Sequence, residues 1–218
     1  MIDLHTHTIF SDGQLIPSEL VRYAAVNDYR AIAVTDHGDH SNLDFIIPRI
    51  VEVCRVLAEA HRLIVLPGIE LTFVPPEHIE RLAQKARQLG AKIVVVHGET
   101  IVEPVPPGTN LAALHAPIDI LAHPGLITPQ EVALAAQRGV CLEITTRRGH
   151  SLANGHVARL ARELGASLVL NTDAHLCDDL VTDATARMIA AGAGLTDTET
   201  AAMFANSKRL AERAGQRG

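Results

Sequence analysis

Aromatic side chains are nearly missing from this chain, which has no tryptophan, two tyrosines and four phenylalanines in 218 residues. Its core therefore cannot be built on rings. With 47% hydrophobic residues, the core must come from Val, Ile, Leu and Ala, as expected of a parallel sheet buried on both faces. Lysine is scarce (Lys85, Lys92 and Lys208) and the net charge is -6. No dense basic stripe exists apart from Arg147-Arg148 and a basic C-terminal tail. That argues against duplex nucleic acid as a partner, because such binding needs several cations on phosphates. The three cysteines, Cys54, Cys141 and Cys177, have no CxxC spacing. They read as free thiols in a reducing compartment rather than a disulfide framework. No apolar run approaches the roughly 18 residues of a membrane span. Met1 leads directly into the first apolar run, so no secretory leader is expected. The expected setting is cytoplasmic, away from any membrane, and the length suits one domain over residues 1–218.

What the chain does have is acid and imidazole at the ends of apolar runs. Leu4-His5-Thr6-His7 places two imidazoles at i and i+2. Near the other end, Asn171-Thr172-Asp173-Ala174-His175 places a carboxylate and an imidazole at the same spacing. On a strand, i and i+2 share a face. Each pair thus aims two metal-type ligands in one direction. The middle of the chain repeats the pattern: Ala31–Val34 runs into Thr35-Asp36-His37, Leu63–Leu66 into Pro67-Gly68-Ile69-Glu70, Ile93–Val96 into His97-Gly98-Glu99, and Ile118–Ala122 into His123-Pro124-Gly125. Val140–Ile144 ends instead in Thr145-Thr146-Arg147-Arg148. Buried charge is costly unless it is paired or metal-bound. Its recurrence at strand after strand calls for a common partner.

Helical periodicity fills the gaps, over 18–27, 43–60, 77–89, 129–138, 155–164 and 180–191, with a final helix over about 196–213. Thr128-Pro129-Gln130-Glu131 and Thr196-Asp197-Thr198-Glu199 carry the capping-box pattern. Gly90, Gly139 and Gly165 stand where helices give way to strands. Strand-helix alternation about seven times predicts a parallel barrel or a doubly wound open sheet. In an open sheet the functional crevice sits at one switch point. Here polar residues end nearly every strand, as in a barrel whose site is ringed by strand ends. The expectation is an α/β fold, a distorted (β/α)7 TIM-like barrel. Residues 103–110, rich in proline, are expected to form a stiff loop at its rim.

The candidate ligands are His5, His7, Asp12, His37, Glu70, His97, His123, Asp173 and His175. Six imidazoles and three carboxylates exceed the four to six ligands of one ion. They suit two or three divalent transition ions that share a bridging carboxylate. Such a cluster polarises a phosphoryl oxygen and lowers the pKa of a water, so the implied chemistry is hydrolysis.

With Ser11-Asp12-Gly13, Thr35-Asp36-His37, Gly68-Ile69-Glu70, His97-Gly98 and Ala122-His123-Pro124 between the two outer pairs, the chain resembles the PHP (polymerase and histidinol phosphatase) family. The motifs occur in the family's order over residues 3–175 and all nine metal positions are kept. The resemblance implies a distorted seven-stranded barrel, a metal-dependent phosphoesterase, and commonly three metal ions. It also implies three sites. His5, His7, Glu70 and Asp173 would hold one ion. Glu70 would bridge to a second held by His97 and His123, and Asp12, His37 and His175 would hold a third. The likeness is nearest to short stand-alone histidinol-phosphate phosphatase-like members, acting on a small phosphorylated metabolite or nucleotide.

Other residues carry secondary expectations. Asp36 and Glu99 are either partners that orient ligand imidazoles or, for Asp36, a loop cap. Arg147 and Arg148 follow the one run without a predicted ligand and suit a phosphate clamp. Adjacent residues on an extended segment point opposite ways, so one of the two should face the site. His150 lies close by as a proton donor to the leaving oxygen. Three other readings stand beside the phosphoesterase. A proofreading-type nuclease is disfavoured by the missing basic groove. An amidohydrolase often needs a carboxylated lysine at a strand end, where none of the three lysines falls. A non-catalytic metal-binding barrel would not need a full ligand set. Imidazole–carboxylate sites suit zinc, manganese, iron or cobalt.

Overall fold

Short apolar strands alternate with amphipathic helices throughout the computed structural model, which describes residues 1–216. The strands are β1 (Ile2–Asp3), β2 (Ala31–Val34), β3 (His37–Gly38), β4 (Ile64–Leu71), β5 (Ile93–His97), β6 (Ile120–Ala122), β7 (Cys141–Thr145) and β8 (Leu168–Asn171). The helices are α1 (Pro17–Val26), α2 (Leu43–His61), α3 (Pro76–Gln88), α4 (Thr109–His115), α5 (Pro129–Arg138), α6 (Asn154–Leu164), α7 (Asp183–Gly192) and α8 (Asp197–Gln216). All pairings are parallel, in the order β1-β2-β4-β5-β6-β7-β8. β3 continues the line of β2 along β4, with Val34 opposite Pro67 and then His37 opposite Glu70. The result is seven staves. They close where Thr6 bridges Ala174, with His7 N donating to Ala174 O at 2.8 Å and Asp173 N to His5 O at 3.0 Å.

Side chains sew the same seam. Asp3 accepts from the Thr172 hydroxyl at 2.5 Å and the Thr172 amide at 3.2 Å, and Asn171 Oδ1 accepts from Leu4 N at 2.8 Å. Burial pushes the Asp3 carboxyl up to about 6, against the pull of these bonds. A polar seam is affordable here because every partner is satisfied.

Two apolar layers follow from the period-2 alternation of the strands. Outward residues such as Ile32, Val34, Ile69, Val94 and Val96 pack beneath the helices. Inward residues Ala31, Ala33, Leu66, Ile93, Val95, Ile120 and Val169 fill the barrel, and Leu210, Ala211 and Ala214 of α8 join them. α8 packs against β1, β4 and β8 and so plugs the end of the barrel away from the strand C-termini. The interior is a filled core, and function is confined to the other end.

Most expected helices appear within a few residues. α5 begins as expected, with Thr128 Oγ1 accepting from Glu131 N at 3.3 Å. Two differences have local causes. Residues 103–108 are loop, but α4 begins at Thr109. The helix expected over 180–191 starts at Asp183, where Thr182 Oγ1 caps it by accepting from Thr185 N. His156 lies within α6, inside the helix expected over 155–164, and its Nε2 donates to Ile127 O at 2.7 Å. No helix among the described residues is long and apolar enough to cross a membrane.

Candidate metal centre

Eight of the nine candidate ligands sit at or just beyond the C-terminal end of a strand. His5 and His7 follow β1, His37 opens β3, Glu70 lies in β4, His97 ends β5, His123 follows β6, and Asp173 and His175 follow β8. Asp12 comes from the loop after β1. Asp36 holds that loop. Its carboxylate accepts from Thr8 N, Thr8 Oγ1 and Ser11 Oγ, each at 2.7 Å. Asp36 is therefore a loop anchor that positions Asp12, and its hydrogen bonds go to no imidazole. Two of the nine, His123 at φ 27° and Asp173 at φ 54°, adopt left-handed backbone. Such strain costs of the order of 1–3 kcal/mol and persists only where surroundings enforce it. Gly98 lets the chain turn tightly after His97, because a Cβ there would collide with the Ala122 carbonyl oxygen.

The two outer pairs meet across the closed seam. His7 Nε2 lies 3.1 Å and His5 Nε2 3.8 Å from Asp173 Oδ1. Glu70 is central: its oxygens lie 3.3 Å from His5 Nε2, 3.8 Å from His7 Nε2, 3.8 Å from His123 Nε2 and 2.7 Å from His37 Nδ1. Asp12 Oδ1 stands 3.2 Å from His37 Nε2 and 3.0 Å from His175 Nε2. Ligand atoms that share an ion at about 2.0–2.2 Å stand ~3–3.6 Å apart. The separations cluster around that range.

The hydrogen bonds of the rings match this use. Nδ1 of His5 donates to Glu143, Nδ1 of His97 to Gly98 O and Nδ1 of His175 to Asp173 O, at 2.9, 3.1 and 2.9 Å. Each ring thereby presents Nε2 inward, as ligating imidazoles do. His5 Nε2, both nitrogens of His7, Glu70 Oε1 and His123 Nδ1 are buried and lack hydrogen-bond partners. Orphaned buried polar atoms are expensive, and cations among them would satisfy the inward-facing ones. The donor set therefore fits a cluster of divalent ions. Four overlapping groups each bring three or more donor atoms within 4.8 Å: His7-Asp12-His37-His175, His97-His123-His150, His5-His123-Asp173 and His5-His7-Glu70.

Electrostatics show how crowded the cluster is. Burial disfavours charge on His5, yet the carboxylates of Glu143, Glu70 and Asp173 raise its pKa well above the ordinary value. Burial, with His37 and His5 as positive neighbours, holds His7 well below it. Burial and the nearby Glu70 push Asp173 up to about 7, against the pull of His5 and Arg147.

Two carboxylates at the site were not among the candidates. Glu143, fully buried in β7, accepts from His5 Nδ1 and Asn171 Nδ2 on one oxygen and from His123 N on the other, at 2.9, 2.8 and 3.1 Å. Its signal was present: one carboxylate inside the apolar run Val140–Ile144. Glu103 reaches in from the proline loop, with Oε2 3.0 Å from His97 Nε2. Glu99, expected to orient an imidazole, instead binds its own loop. Its Oε1 accepts from Gly108 N and Asn110 N at 3.0 and 2.9 Å.

The cavity over the cluster has a volume of about 590 Å³. Among the described residues, Arg147 is the only Arg or Lys lining it, and Phe73, stacked on His97 at 5.3 Å, forms part of its wall. Arg147 donates to Asp173 O at 3.1 Å and pairs with Asp179 at 3.7 Å. Arg148 is exposed and lines an adjoining cleft together with Arg147, Asp12 and His175. His150 is buried beside His123 and His97.

Comparison with known proteins agrees with this picture. A sequence model of the PHP domain matches residues 3–146. An uncharacterized protein of Methanocaldococcus jannaschii is 49% identical over 199 residues, covering 90% of this chain and 91% of its own. A protein of Shewanella sp. (strain MR-4) named as a probable phosphatase is 27% identical, covering 82% of this chain and 78% of its own. Among solved structures, histidinol phosphate phosphatase of Lactococcus lactis, complexed with zinc, L-histidinol and phosphate, superposes with a TM-score of 0.62. At 18% identity it covers 89% of this chain and 94% of its own, and shows the shared fold.

Proposed function

The chain belongs to the PHP domain family, and from that premise we propose that it is a metal-dependent phosphoesterase hydrolysing a small phosphorylated molecule. One observation carries the reading: nine metal-type side chains from six of the seven staves converge under one open cavity, with buried ligand atoms left unpaired. The seventh stave supplies Glu143, which orients His5.

In this reading, His5, His7, Glu70 and Asp173 would hold one ion, His97 and His123 together with Glu70 a second, and Asp12, His37 and His175 a third. Two or three divalent ions such as zinc, manganese or iron would supply Lewis acidity and a water acidified toward neutral pH. The chain's own residues do the rest. Glu143, Gly98 O and Asp173 O fix the imidazole tautomers so that Nε2 faces the cavity. The Asp36 anchor fixes Asp12. Arg147 stands on the cavity wall with its guanidinium steadied by Asp179. It binds a non-bridging phosphoryl oxygen and balances charge that grows in the transition state. Phe73 offers a flat apolar surface to the organic part of the substrate.

The test combines metal analysis with isotope tracing. Purified protein contains two to three transition ions per chain and hydrolyses an aryl phosphate. A single turnover in 18O-water leaves the label in released phosphate. Glu70→Gln loses ions and turnover together, because one shared carboxylate neutralises two cations. A trapped phosphorylated side chain, or full ion content with normal turnover in Glu70→Gln, contradicts the mechanism.

A further inference from the structure

Two donors beside the second ion's ligands lie outside the nine-residue set. His150 opens the short turn after β7 and is buried. Its ring stacks on His123, with centroids 4.2 Å apart and planes 19° apart. Its Nδ1 hydrogen-bonds Thr100 Oγ1 at 2.8 Å, which leaves Nε2 facing the cavity in the manner of His5, His97 and His175. Glu103 faces both rings from the loop between β5 and α4: Oε2 is 3.0 Å from His97 Nε2 and Oε1 is 3.4 Å from His150 Nε2.

We propose that His150 and Glu103 are further ligands of the ion held by His97 and His123, and that Glu103 is the donor that gives up its place to the substrate's phosphate. This rests on the metal-dependent reading above and extends it to two residues at the rim of the site.

Hydrogen-bond geometry carries the first half. His97 Nδ1 faces a carbonyl oxygen, Gly98 O, so that nitrogen must bear the ring proton. Its Nε2 then faces Glu103 Oε2 at 3.0 Å, a contact that needs positive charge between ring and carboxylate: a second ring proton when no ion is bound, and the ion itself when one is. Both Glu103 separations also match the ~3–3.6 Å edges expected around a shared ion. His97, His123 and His150 already bring one donor atom each within 4.8 Å of the others.

The position of Glu103 carries the second half. The other donors stand on or beside strand ends in the rigid barrel, or in the loop anchored by Asp36. Glu103 arrives from outside on a segment with Pro104, Pro106 and Pro107, and its side chain is 38% exposed. Glu99 clamps the base of that segment through Gly108 N and Asn110 N, while Asn110 Oδ1 accepts from Glu99 N at 2.9 Å. The loop is thus held in place and only the Glu103 side chain need rotate away. In that exchange one carboxylate–ion bond breaks as one phosphate–ion bond forms, without redox change or proton transfer.

The experiment reads ion and phosphate binding without turnover. Stripped wild type, Glu103→Gln and His150→Gln are titrated with zinc against a chromophoric chelator. Each variant is expected to lose more affinity at one ion than the ~10- to 100-fold typical of a partner that only orients a ligand, while the others are unchanged. Zinc-loaded protein is then titrated with inorganic phosphate by calorimetry. Glu103→Gln, freed of its internal competitor, is expected to bind phosphate more tightly than wild type. Zinc affinity within twofold of wild type in both variants overturns the ligand assignment. Unchanged or weaker phosphate binding in Glu103→Gln overturns the exchange. If the variants behave as expected but no phosphate ester is hydrolysed, the ligands stand and the phosphoesterase reading falls.

Discussion

Glu143 shows how one buried carboxylate can govern a site without facing the substrate. It takes three hydrogen bonds, from His5, Asn171 and His123. Glutamine in its place must turn an amide NH2 toward one of these donors. Glu143→Gln is therefore expected to weaken ion binding ~10- to 100-fold while the fold persists, as measured by chelator competition. Arg147 and Arg148 separate at the same scale. Arg147 lines the cavity and Arg148 is exposed on the adjoining cleft. Arg147→Ala is expected to lower kcat/KM by roughly 10- to 1000-fold at unchanged ion content, about 1.4–4 kcal/mol of transition-state binding. Arg148→Ala should stay near wild type on small aryl phosphates. Equal effects of the two in steady-state kinetics would assign the clamp to both. The ligand candidates were legible because acid and imidazole at the end of an apolar run violate the composition expected there. Glu143 was hidden because its carboxylate interrupts a run rather than ending it. The loop role of Asp36 was one of the two read for it, and its bonds to Thr8 and Ser11 choose between them; that of Glu99 was hidden because its partners, the amides of Gly108 and Asn110, have no pattern of their own.

At the scale of elements, α8 bears most directly on the site without touching it. Leu210, Ala211 and Ala214 enter the barrel interior beside Leu4, Ala31 and Ala33. The strands whose far ends carry the ligands are thus braced from below. Leu210→Ala is expected to destabilise the protein by about 2–5 kcal/mol through lost burial and the cavity left behind. Urea unfolding checks this, with the midpoint falling at constant slope. The helix itself was legible from its periodicity and its Thr196–Glu199 start, where Glu199 accepts from Thr196 N at 2.8 Å. Its role as a plug was not, since one apolar stripe serves equally well against the outside of a barrel or across its end. α4 was missed because only seven residues follow Gly108 before Ala116, too few to establish a period.

For the whole molecule, the proposed ion cluster predicts a coupling of ion binding to stability. Buried imidazoles and carboxylates that lack partners favour unfolding, and ions that bind only the folded state reverse this. An ion held at 100 times its Kd contributes ~2.7 kcal/mol, and a domain of this size shifts its Tm by roughly 2–4 °C per kcal/mol. Chelation is therefore expected to lower Tm by about 5–10 °C for each ion removed, read by calorimetry before and after zinc is restored. An unchanged Tm would mean that the cluster is not occupied. The alternation of strands and helices, the aliphatic core and the nine candidate ligands were all legible in local sequence, because period, burial preference and end-of-strand chemistry are carried by neighbouring residues. Closure of the barrel determined the rest. It brings Asp173 to His5 and His7 across 166 residues or more of chain, sets Glu143 behind His5, and lets Glu103 reach His97 and His150 from a loop. Those contacts depend on the register and curvature of seven staves together, and no local stretch of sequence encodes either.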